Sequence, residues 1–301
     1  MTESNSAVAE PFRTGFVAIV GRPNVGKSTL LNRLIGQKIS IVSRKAQTTR
    51  HRVTGIETRE DAQFIFVDTP GFQTRHRNAL NDVLNQSVRQ TLVDVDCVLM
   101  VLEAGKLGPA DQEVLNLLPK NRPVVAVINK SDRLKDKAEM AGFLVKVSEA
   151  FAFADIIPVC AKHGQRLDEL LKLVQPHLPQ SVPLYPEDMV TDKNEKFLAA
   201  EIVREKLFRY LGEELPYSMN VETELFEVEG ALRKIYVTVL VDKVGQKSIV
   251  IGKDGEKLKR ISTEARLDME KLFDGKVFLK VWVKVKGGWA DDVRFLKQFE
   301  L

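Results

Sequence analysis

The feature that most constrains this chain is a glycine-bounded loop between an apolar run and a helical pattern. The loop reads Gly-Arg-Pro-Asn-Val-Gly-Lys-Ser from Gly21 to Ser28, after the apolar run Phe16 to Val20 and before the leucine-rich run Thr29 to Leu34. The glycines let the backbone curl with its N–H groups pointing inward, and the following helix adds the positive end of its dipole. Lys27 can then reach terminal phosphates, and Ser28 can coordinate magnesium. The sequence therefore predicts a strand, a phosphate-binding loop and a helix, in that order.

The composition indicates a globular protein with two domains. A length of 301 residues exceeds what one core usually holds, and 44% hydrophobic with 29% charged residues is ordinary for folded domains. No apolar run approaches the roughly 20 residues of a membrane span, and the polar start from Met1 to Ala9 lacks the features of a secretion signal. We therefore expect a cytoplasmic protein. The net charge of +4 permits a nucleic-acid partner without requiring one.

The two cysteines, Cys97 and Cys160, both lie in apolar runs. Free cysteine behaves as a small hydrophobe when it is buried. We therefore expect core residues in a reducing compartment rather than a disulfide or a metal site.

Short β-branched runs alternate with longer helical patterns over the first half of the chain. The runs are Phe16 to Val20, Phe64 to Val67, Cys97 to Leu102, Val124 to Ile128 and Ile156 to Cys160. Continuous apolar strands separated by amphipathic helices are typical of a mostly parallel sheet that is covered on both faces. The predicted fold of this part is an α/β nucleoside-triphosphate-binding domain, with its functional loops at the carboxyl ends of the strands.

A proline-rich stretch divides the chain. Prolines recur there among polar residues, at Pro176, Pro179, Pro183 and Pro186. No apolar period persists through this stretch, which is typical of a linker. We predict a flexible tail over residues 1–12, a first domain over 13–180, a linker over 181–195 and a smaller α+β domain over 196–301.

Two further motifs close predicted strands at the sheet edge where the phosphate loop ends. Asp68-Thr69-Pro70-Gly71 follows one strand, where its carboxylate can reach a magnesium shell and the Gly71 N–H can meet a γ-phosphate. Asn129-Lys130-Ser131-Asp132 follows another. Asp132 would accept both N–H groups of a guanine edge, which adenine cannot supply. The sequence therefore predicts a site for GTP.

These ordered motifs resemble those of the TRAFAC GTPases, which implies a Ras-like fold and GTP hydrolysis. Cys160-Ala161-Lys162 is similar to a fifth motif of that family, usually Ser-Ala-Lys, whose backbone contacts guanine. The loop from Ser43 to Arg52 lies where the family places switch I, and we prefer Thr49 over Thr48 as its magnesium ligand. The resemblance implies catalytic roles for Lys27, Thr49 and Gly71, and magnesium ligation by Ser28, Thr49 and Asp68. The implied GTP-binding residues are Gly21, Arg22, Pro23, Asn24, Val25, Gly26, Lys27, Ser28, Thr29, Asp68, Thr69, Pro70, Gly71, Phe72, Asn129, Lys130, Ser131, Asp132, Cys160, Ala161 and Lys162.

Two positions bear on the rate of hydrolysis. Phe72 stands where many signalling GTPases carry a glutamine that orients the attacking water, so we expect slow intrinsic turnover. Asn24 stands where similar GTPases place a potassium ligand, which raises the hypothesis that K⁺ replaces an arginine finger. A plain turn role for Asn24 is the alternative.

The second domain carries a Gly-x-x-Gly loop in an apolar and basic setting. Ile249-Val250-Ile251-Gly252-Lys253-Asp254-Gly255, followed by a lysine-rich helix, resembles the core of K-homology (KH) domains. The predicted order of helix, strand, strand, helix, helix, strand is similar to the bacterial variant, type II. Two glycines allow close approach of a nucleic-acid backbone, and lysines meet its phosphates. The predicted RNA-binding residues are Ile251, Gly252, Lys253, Asp254, Gly255, Lys257, Lys259 and Arg260.

A TRAFAC GTPase joined to a type II KH domain resembles the Era family, and this resemblance covers essentially the whole chain after the tail. It implies a molecular switch that binds the 3′ end of 16S rRNA, assists maturation of the 30S ribosomal subunit and associates peripherally with the inner face of the cell membrane. We expect a monomer. Two other interpretations stay open: a constitutive RNA-binding protein with a structural nucleotide site, and a GTPase whose KH-like domain docks protein.

Overall fold

The computed structural model describes residues 11–43, 45, 48–72, 79–134, 136–212, 215 and 219–289, with the side chains of residues 79–81 outside this description. Residues 1–10 of the predicted tail lie outside the described residues. The same holds for residues 44, 46 and 47 of the predicted switch I loop and for the terminal pattern after Trp289.

The first domain is built on a six-stranded sheet. Its strands are β1 (Arg13–Val20), β2 (Val53–Thr58), β3 (Ala62–Asp68), β4 (Cys97–Glu103), β5 (Val124–Asn129) and β6 (Asp155–Pro158). Its helices are α1 (Lys27–Ile35), α2 (Ala79–Val93), α3 (Pro109–Leu115), α4 (Lys137–Ala150) and α5 (Leu167–Val174). The strand order is β2-β3-β1-β4-β5-β6, and every neighbouring pair is parallel except β2 with β3.

Alternating side chains of the central strands bury both faces of this sheet. On β1, Val17 and Ile19 join one apolar cluster, whereas Ala18 and Val20 join the cluster on the other face. A strand that is buried on both sides needs continuous apolar sequence, because successive side chains point to opposite faces. The predicted parallel sheet with two covered faces is confirmed.

The antiparallel edge strand β2 was not among the predicted strands. Its Gly55 lies under the first helix, where an added Cβ would come within 2.7 Å of the Leu31 side chain and 2.8 Å of the Ile39 side chain. Glycine therefore favours close packing here and does not form a turn. A glycine inside a six-residue run also weakens the strand signal in the sequence.

The predicted linker is held along this same edge. Val190 O accepts a hydrogen bond of 2.9 Å from Ile56 N, and Thr191 Oγ1 donates to Thr54 O at 2.7 Å. The buried Gln63 side chain accepts from Leu184 N at 2.8 Å. Hydrogen bonds thus attach the proline-rich stretch to the first domain over much of its length.

The second domain contains α6 (Glu195–Tyr210), β7 (Met219–Glu229), β8 (Leu232–Val241), α7 (Val244–Ile251), α8 (Glu256–Leu272) and β9 (Lys276–Val285). The three strands are ordered β7-β8-β9, antiparallel and then parallel. Its apolar core is formed by one face of the sheet together with the helices. This is the predicted α+β order.

Across the described ranges, none of the helices combines the length and the apolar character that crossing a bilayer requires.

Candidate functional site

A cavity of about 740 Å³ opens at the carboxyl ends of the first domain's parallel strands. Sequence-predicted segments converge on it: the phosphate loop, the switch I loop, the turn after β3 and the two turns after β5 and β6. The predicted residues that line it are Pro23, Asn24, Gly26, Lys27, Ser28, Thr29, Thr48, Thr49, Gly71, Asn129, Lys130, Asp132, Cys160 and Lys162. Segments far apart in the chain therefore build one site, as the topology of a parallel sheet predicts.

Local backbone geometry shapes the phosphate loop. Gly26 has φ +104°, and a Cβ there would lie 2.3 Å from the side-chain amide of Asn129. Asn24 has φ +67°, in the left-handed region that asparagine tolerates better than most residues. The turn role considered for Asn24 is therefore present.

Lys27 is buried at the base of this loop. Its Nζ donates to Gly21 O at 2.9 Å and to Arg22 O at 3.2 Å. Burial lowers the pKa of Lys27 from 10.5 to about 8, although the Asp68 carboxylate opposes this effect. A negatively charged phosphate oxygen beside the ammonium would stabilise its charged form and offset the effect of burial on the pKa of Lys27.

Asn129 joins three motifs through one side chain. Its Nδ2 donates to Val25 O at 2.9 Å, and its Oδ1 accepts from Lys130 N at 2.8 Å and Ala161 N at 3.1 Å. These bonds hold the phosphate loop and the two predicted guanine-binding turns in one arrangement. Asn129 is thus a positioning residue for the cavity.

Asp132 lies beside Cys160 at the predicted guanine end. The Cys160 Sγ donates to Asp132 Oδ1 at 3.1 Å, so cysteine supports this carboxylate where the family usually has serine. The hydrogen bond from Cys160 is the main cause of the lowered pKa of Asp132. Burial and the same contact raise the pKa of the Cys160 thiol. Asp132 itself is exposed to the cavity, where it can meet a base edge.

A buried carboxylate and three hydroxyls mark a candidate cation site. Ser28 Oγ donates to Asp68 Oδ2 at 2.8 Å, Ser40 Oγ donates to the same oxygen at 3.0 Å, and Ser28 and Thr49 share a hydroxyl contact of 2.9 Å. The second oxygen, Asp68 Oδ1, is buried and has no hydrogen-bond partner within the part of the chain that the structure describes. An orphaned buried carboxylate oxygen is costly unless a cation or donor meets it, so this donor set fits a hard cation such as Mg²⁺.

The two threonines of the switch I loop differ in their contacts. Thr49 Oγ1 contacts Ser28 Oγ at 2.9 Å, whereas Thr48 Oγ1 donates to Lys45 O at 2.7 Å and contacts Ser43 Oγ at 2.9 Å. Thr49 thus lies at the candidate cation site, and Thr48 is turned toward other residues of its own loop. The sequence interpretation missed Ser40, which carries no motif and reaches Asp68 only through the fold.

The side chain of Arg22 points away from the cavity. Its guanidinium forms ion pairs with Glu103 at 3.4 Å and Asp111 at 3.0 Å, so only its backbone can serve the predicted nucleotide site. Glu103 also pairs with Lys130 at 3.0 Å, with Lys106 at 2.9 Å and with Arg133. Burial would raise the pKa of Glu103, but hydrogen bonds from Lys106 and Lys130 outweigh it and lower the pKa from 4.5 to about 2. Glu103 therefore links two nucleotide motifs, although neither motif contains it.

Some predicted nucleotide residues support the cavity without lining it. Phe72 is buried in the apolar cluster that contains Val88 and Leu92, so its ring faces the core. Thr69 Oγ1 donates to Ile19 O at 2.9 Å, which ties the turn after β3 to β1. The predicted residues outside the lining are Gly21, Arg22, Val25, Asp68, Thr69, Pro70, Phe72, Ser131 and Ala161.

The Gly-x-x-Gly loop of the second domain forms a tight connection between α7 and α8. Gly252, Asp254 and Gly255 have φ of +75°, +50° and +77°. A Cβ on Gly252 would approach the Cβ of Lys257 to 2.7 Å, so the loop backbone lies directly against the start of α8. Such a loop leaves room for a phosphate backbone beside a helix N-terminus.

The predicted RNA-binding side chains lie around this loop with different degrees of freedom. Lys253, Asp254 and Lys259 are exposed, whereas Ile251 and Lys257 are half-buried. Arg260 stacks over Tyr210 at 4.4 Å and pairs with Glu264 at 3.5 Å. Lys253 and Lys259 are therefore better placed to meet phosphates than Arg260.

The switch I region contacts the second domain directly. Arg50 donates to Met219 O at 2.7 Å and stacks over Trp289 at 5.7 Å, and Val42 N donates to Glu205 Oε2 at 3.1 Å. Lys45 Nζ donates to the carbonyl of Leu211 at the end of α6. The segment that carries Thr49 is thus bonded to the nucleotide site on one side and to the second domain on the other.

Family comparisons agree with this geometry. A model described as 50S ribosome-binding GTPase matches residues 16–130, and a KH-domain model matches residues 214–290. The fold and the cavity define the class: a P-loop GTPase domain followed by a KH domain.

Relatives of known name match nearly the whole chain. GTPase Era of Chromobacterium violaceum is 70% identical over 291 residues, which cover 97% of this chain and 98% of that protein. GTPase Era of Neisseria meningitidis serogroup A is 66% identical over 295 residues, covering 97% and 96%. The chain therefore belongs to the Era family of GTPases.

Solved structures extend the match to three dimensions. The crystal structure of a point variant of Aquifex aeolicus Era bound to GDP·AlF4⁻ is similar with a TM-score of 0.91 and 38% identity, covering 96% of this chain and 99% of that one. A crystal structure of Era with MgGDPNP and nucleotides 1506–1542 of 16S ribosomal RNA matches with the same score and identity, covering 96% and 98%. The predicted fold class and GTPase activity are confirmed.

Proposed function

We propose that this GTPase is a monomeric, cytoplasmic switch whose KH domain binds the 3′ end of 16S rRNA and assists maturation of the 30S subunit. The crystal structure of an Era protein with a 16S rRNA fragment supports the choice of RNA. The Gly252 to Gly255 loop supplies the place for its backbone, and Lys253 and Lys259 supply the charge.

The observation that carries the switch is the double attachment of the switch I region. Thr49 contacts the phosphate-loop hydroxyl of Ser28, and the next residue, Arg50, is bonded to Met219 of the KH domain. A γ-phosphate that draws Thr49 inward must therefore change the contacts of Arg50. A switch I segment that exchanges these partners when GTP binds would bias the position of the KH domain.

The nucleotide chemistry follows from the cavity. Ser28, Thr49 and Asp68 would hold Mg²⁺, which supplies electrostatic stabilisation of the transferred phosphoryl group. Lys27 lies at the base of the phosphate loop and Gly71 approaches Pro23 closely, so its N–H can face a γ-phosphate. The buried ring of Phe72 cannot orient water, which supports slow intrinsic hydrolysis of GTP to GDP and phosphate.

We also propose that Asn24 binds K⁺ beside the phosphates. The exposed Asn24 lines the cavity, and its carbonyl accepts from Lys130 at 2.7 Å. A cation there would add positive charge beside the phosphates. Turnover measured in KCl and NaCl at matched ionic strength tests this role, and equal rates would remove it.

The decisive experiment is RNA-binding anisotropy with a labelled 3′-terminal 16S rRNA fragment, with the protein held in GDP or in a GTP analogue. We expect tighter binding in one nucleotide state and a loss of affinity in Lys253→Ala in both. Removal of one phosphate contact should also reduce the salt slope by about 0.7 for single-stranded RNA. Lys271→Ala is the matched control. Lys271 lies near the far end of α8, about 21 Å along the helix from Lys257 beside the Gly-x-x-Gly loop.

The outcomes separate the alternatives. RNA affinity that is equally high with GDP and with the GTP analogue would favour the constitutive RNA-binding protein. RNA affinity that is unchanged in Lys253→Ala would favour a KH-like domain that docks protein. Depletion of the protein in cells should lead to accumulation of immature 30S particles, and fractionation of those cells tests the peripheral membrane association that the family resemblance implies.

A further inference from the structure

Three side chains with different ligand chemistry meet at the guanine end of the cavity. The nearest ligand atoms of Asp132, Cys160 and His163 all lie within 4.8 Å of one another. Cys160 Sγ and Asp132 Oδ1 are 3.1 Å apart. A carboxylate, a thiol and an imidazole therefore face a common point.

The backbone holds these positions in place. Asp132 and Cys160 follow neighbouring parallel strands, and Ser131 N donates to Val159 O at 3.1 Å between the two turns. His163 ends the short helical turn Ala161–His163, where His163 N donates to Cys160 O at 3.1 Å. The three ligands thus come from two turns that the sheet keeps adjacent.

This set of donors suits zinc. Zinc binds thiolate at about 2.3 Å and imidazole or carboxylate at about 2.0–2.2 Å, usually with tetrahedral geometry. Ligand atoms on one such ion lie roughly 3.2–3.7 Å apart. The Sγ–Oδ1 distance of 3.1 Å lies just below this range. The exposed side chains of Asp132 and His163 can rotate to open that distance slightly and to close the widest separation by about 1 Å.

We propose that Asp132, Cys160 and His163 bind Zn²⁺ in the nucleotide-free protein, and that zinc and the guanine base compete for Asp132. Coordination replaces the thiol proton, which passes to solvent, and water completes the fourth position. The competition rests on the proposed guanine contact of Asp132, whereas zinc binding itself does not. The sequence favoured plain core roles for both cysteines, and only Cys97 keeps that role here.

Cobalt provides a spectroscopic probe of the site, because Co²⁺ bound to thiolate gives a near-ultraviolet charge-transfer band. Nucleotide-free full-length protein should show this band with one Co²⁺ per chain, and Zn²⁺ should abolish it by displacement. Cys160→Ser should lose the band, whereas Cys97→Ala, which changes the other buried cysteine, should keep it. A band of equal strength in Cys160→Ser would overturn the site.

A second variant protects the test against a folding defect. His163 is exposed, so His163→Gln should fold normally and weaken Zn²⁺ binding at least tenfold in equilibrium dialysis. His177→Gln, at a histidine outside the cluster, is its control. Unchanged zinc affinity in His163→Gln would also refute the ligand set.

Competition is measured separately. Saturating GDP should raise the dissociation constant for Zn²⁺ at least tenfold, since both ligands need Asp132. Zinc affinity that is the same with and without GDP would overturn the competition. RNA anisotropy in buffer that contains Mg²⁺ but no Zn²⁺ stays unaffected by either result, so failure of the zinc site and failure of the RNA switch can be told apart.

Discussion

Glu103 provides the sharpest test of how the nucleotide cavity is held together. Its side chain is only 4% exposed and, among the described residues, pairs with four cations, of which Arg22 and Lys130 belong to nucleotide motifs. Glu103→Gln keeps the shape of the side chain and removes its charge. We therefore expect a loss of stability together with weaker nucleotide binding, because both motifs lose a common anchor.

The magnitude follows from the acidity of Glu103. Lowering its pKa from 4.5 to about 2 corresponds to about 3.4 kcal/mol at 1.36 kcal/mol per pKa unit. Lys106 and Arg133 are more than half exposed, so solvent screens their share. We expect Glu103→Gln to lower the free energy of unfolding by about 2 kcal/mol at pH 7 and GDP affinity about tenfold, with a smaller change in kcat because Glu103 does not line the cavity.

The pH dependence of the stability difference between wild type and Glu103→Gln tests whether the charge of Glu103 causes it. Because the folded pKa is depressed, the contribution is fully present above pH 4.5 and is lost as the pH falls through about 2. At pH 3 less than half of the difference between wild type and Glu103→Gln should remain. Urea unfolding at pH 7, 5 and 3 measures this, and fluorescent GDP titration measures affinity.

Glu149→Gln, at an exposed carboxylate near the end of α4, serves as the control and should change neither quantity. Wild-type stability in Glu103→Gln at pH 7 would refute the reasoning. A difference that stays constant down to pH 3 would do so as well, since it would then arise from packing rather than charge.

Three further predictions concern the phosphate loop and the domain contact. Gly26→Ala should weaken GDP binding at least tenfold, because its Cβ would lie 2.3 Å from the side-chain amide of Asn129. Gly36→Ala is the control, since that glycine also has a positive φ of +74° but open space around it, and GDP binding should not change. Equal effects of the two variants in a GDP titration would argue against the clash. Since the pKa of Lys27 is about 8, most of this side chain is neutral at pH 8.5, and GDP binding should take up roughly three quarters of a proton. Calorimetry in buffers of different ionisation enthalpy measures this uptake, and a value near zero would contradict the lowered pKa of Lys27. Arg50→Ala should lower the free energy of unfolding by about 2 kcal/mol, because a charged hydrogen bond to the KH domain is lost. The exposed Arg52→Ala should leave it unchanged, and equal urea midpoints for the two variants would exclude the contact.

Much of the fold could be predicted from local pattern. Strands buried on both faces require continuous apolar runs, so the five parallel strands were visible in the sequence. The short strand β2 was not, because Gly55 serves helix packing that involves residues far away in the chain. The proline-rich linker was also predicted, but its hydrogen bonds to the β2 edge depend on backbone groups that carry no sequence signature.

The buried charged residues of α6 could not be predicted from local sequence pattern either. Glu205 and Lys206 are almost fully buried, although charged residues usually mark a solvated face. Lys38 of the first domain pairs with Glu205 at 2.9 Å and with Asp268 of α8 at 3.0 Å. Partners distant in the sequence compensate this burial, and no local pattern reveals such pairs.

The sequence by itself determined which chemistry this protein can perform. Motif glycines, lysines and carboxylates act through backbone conformations and strand ends that their immediate neighbours set, so the sequence alone predicts a nucleotide site and a Gly-x-x-Gly loop. The tertiary structure alone decided what holds and connects these motifs: Ser40 on Asp68, Glu103 between two motifs, and Arg50 against the KH domain. The physical reason is distance along the chain, because contact energies depend on proximity in space, which only the folded sheet and its packed domains create.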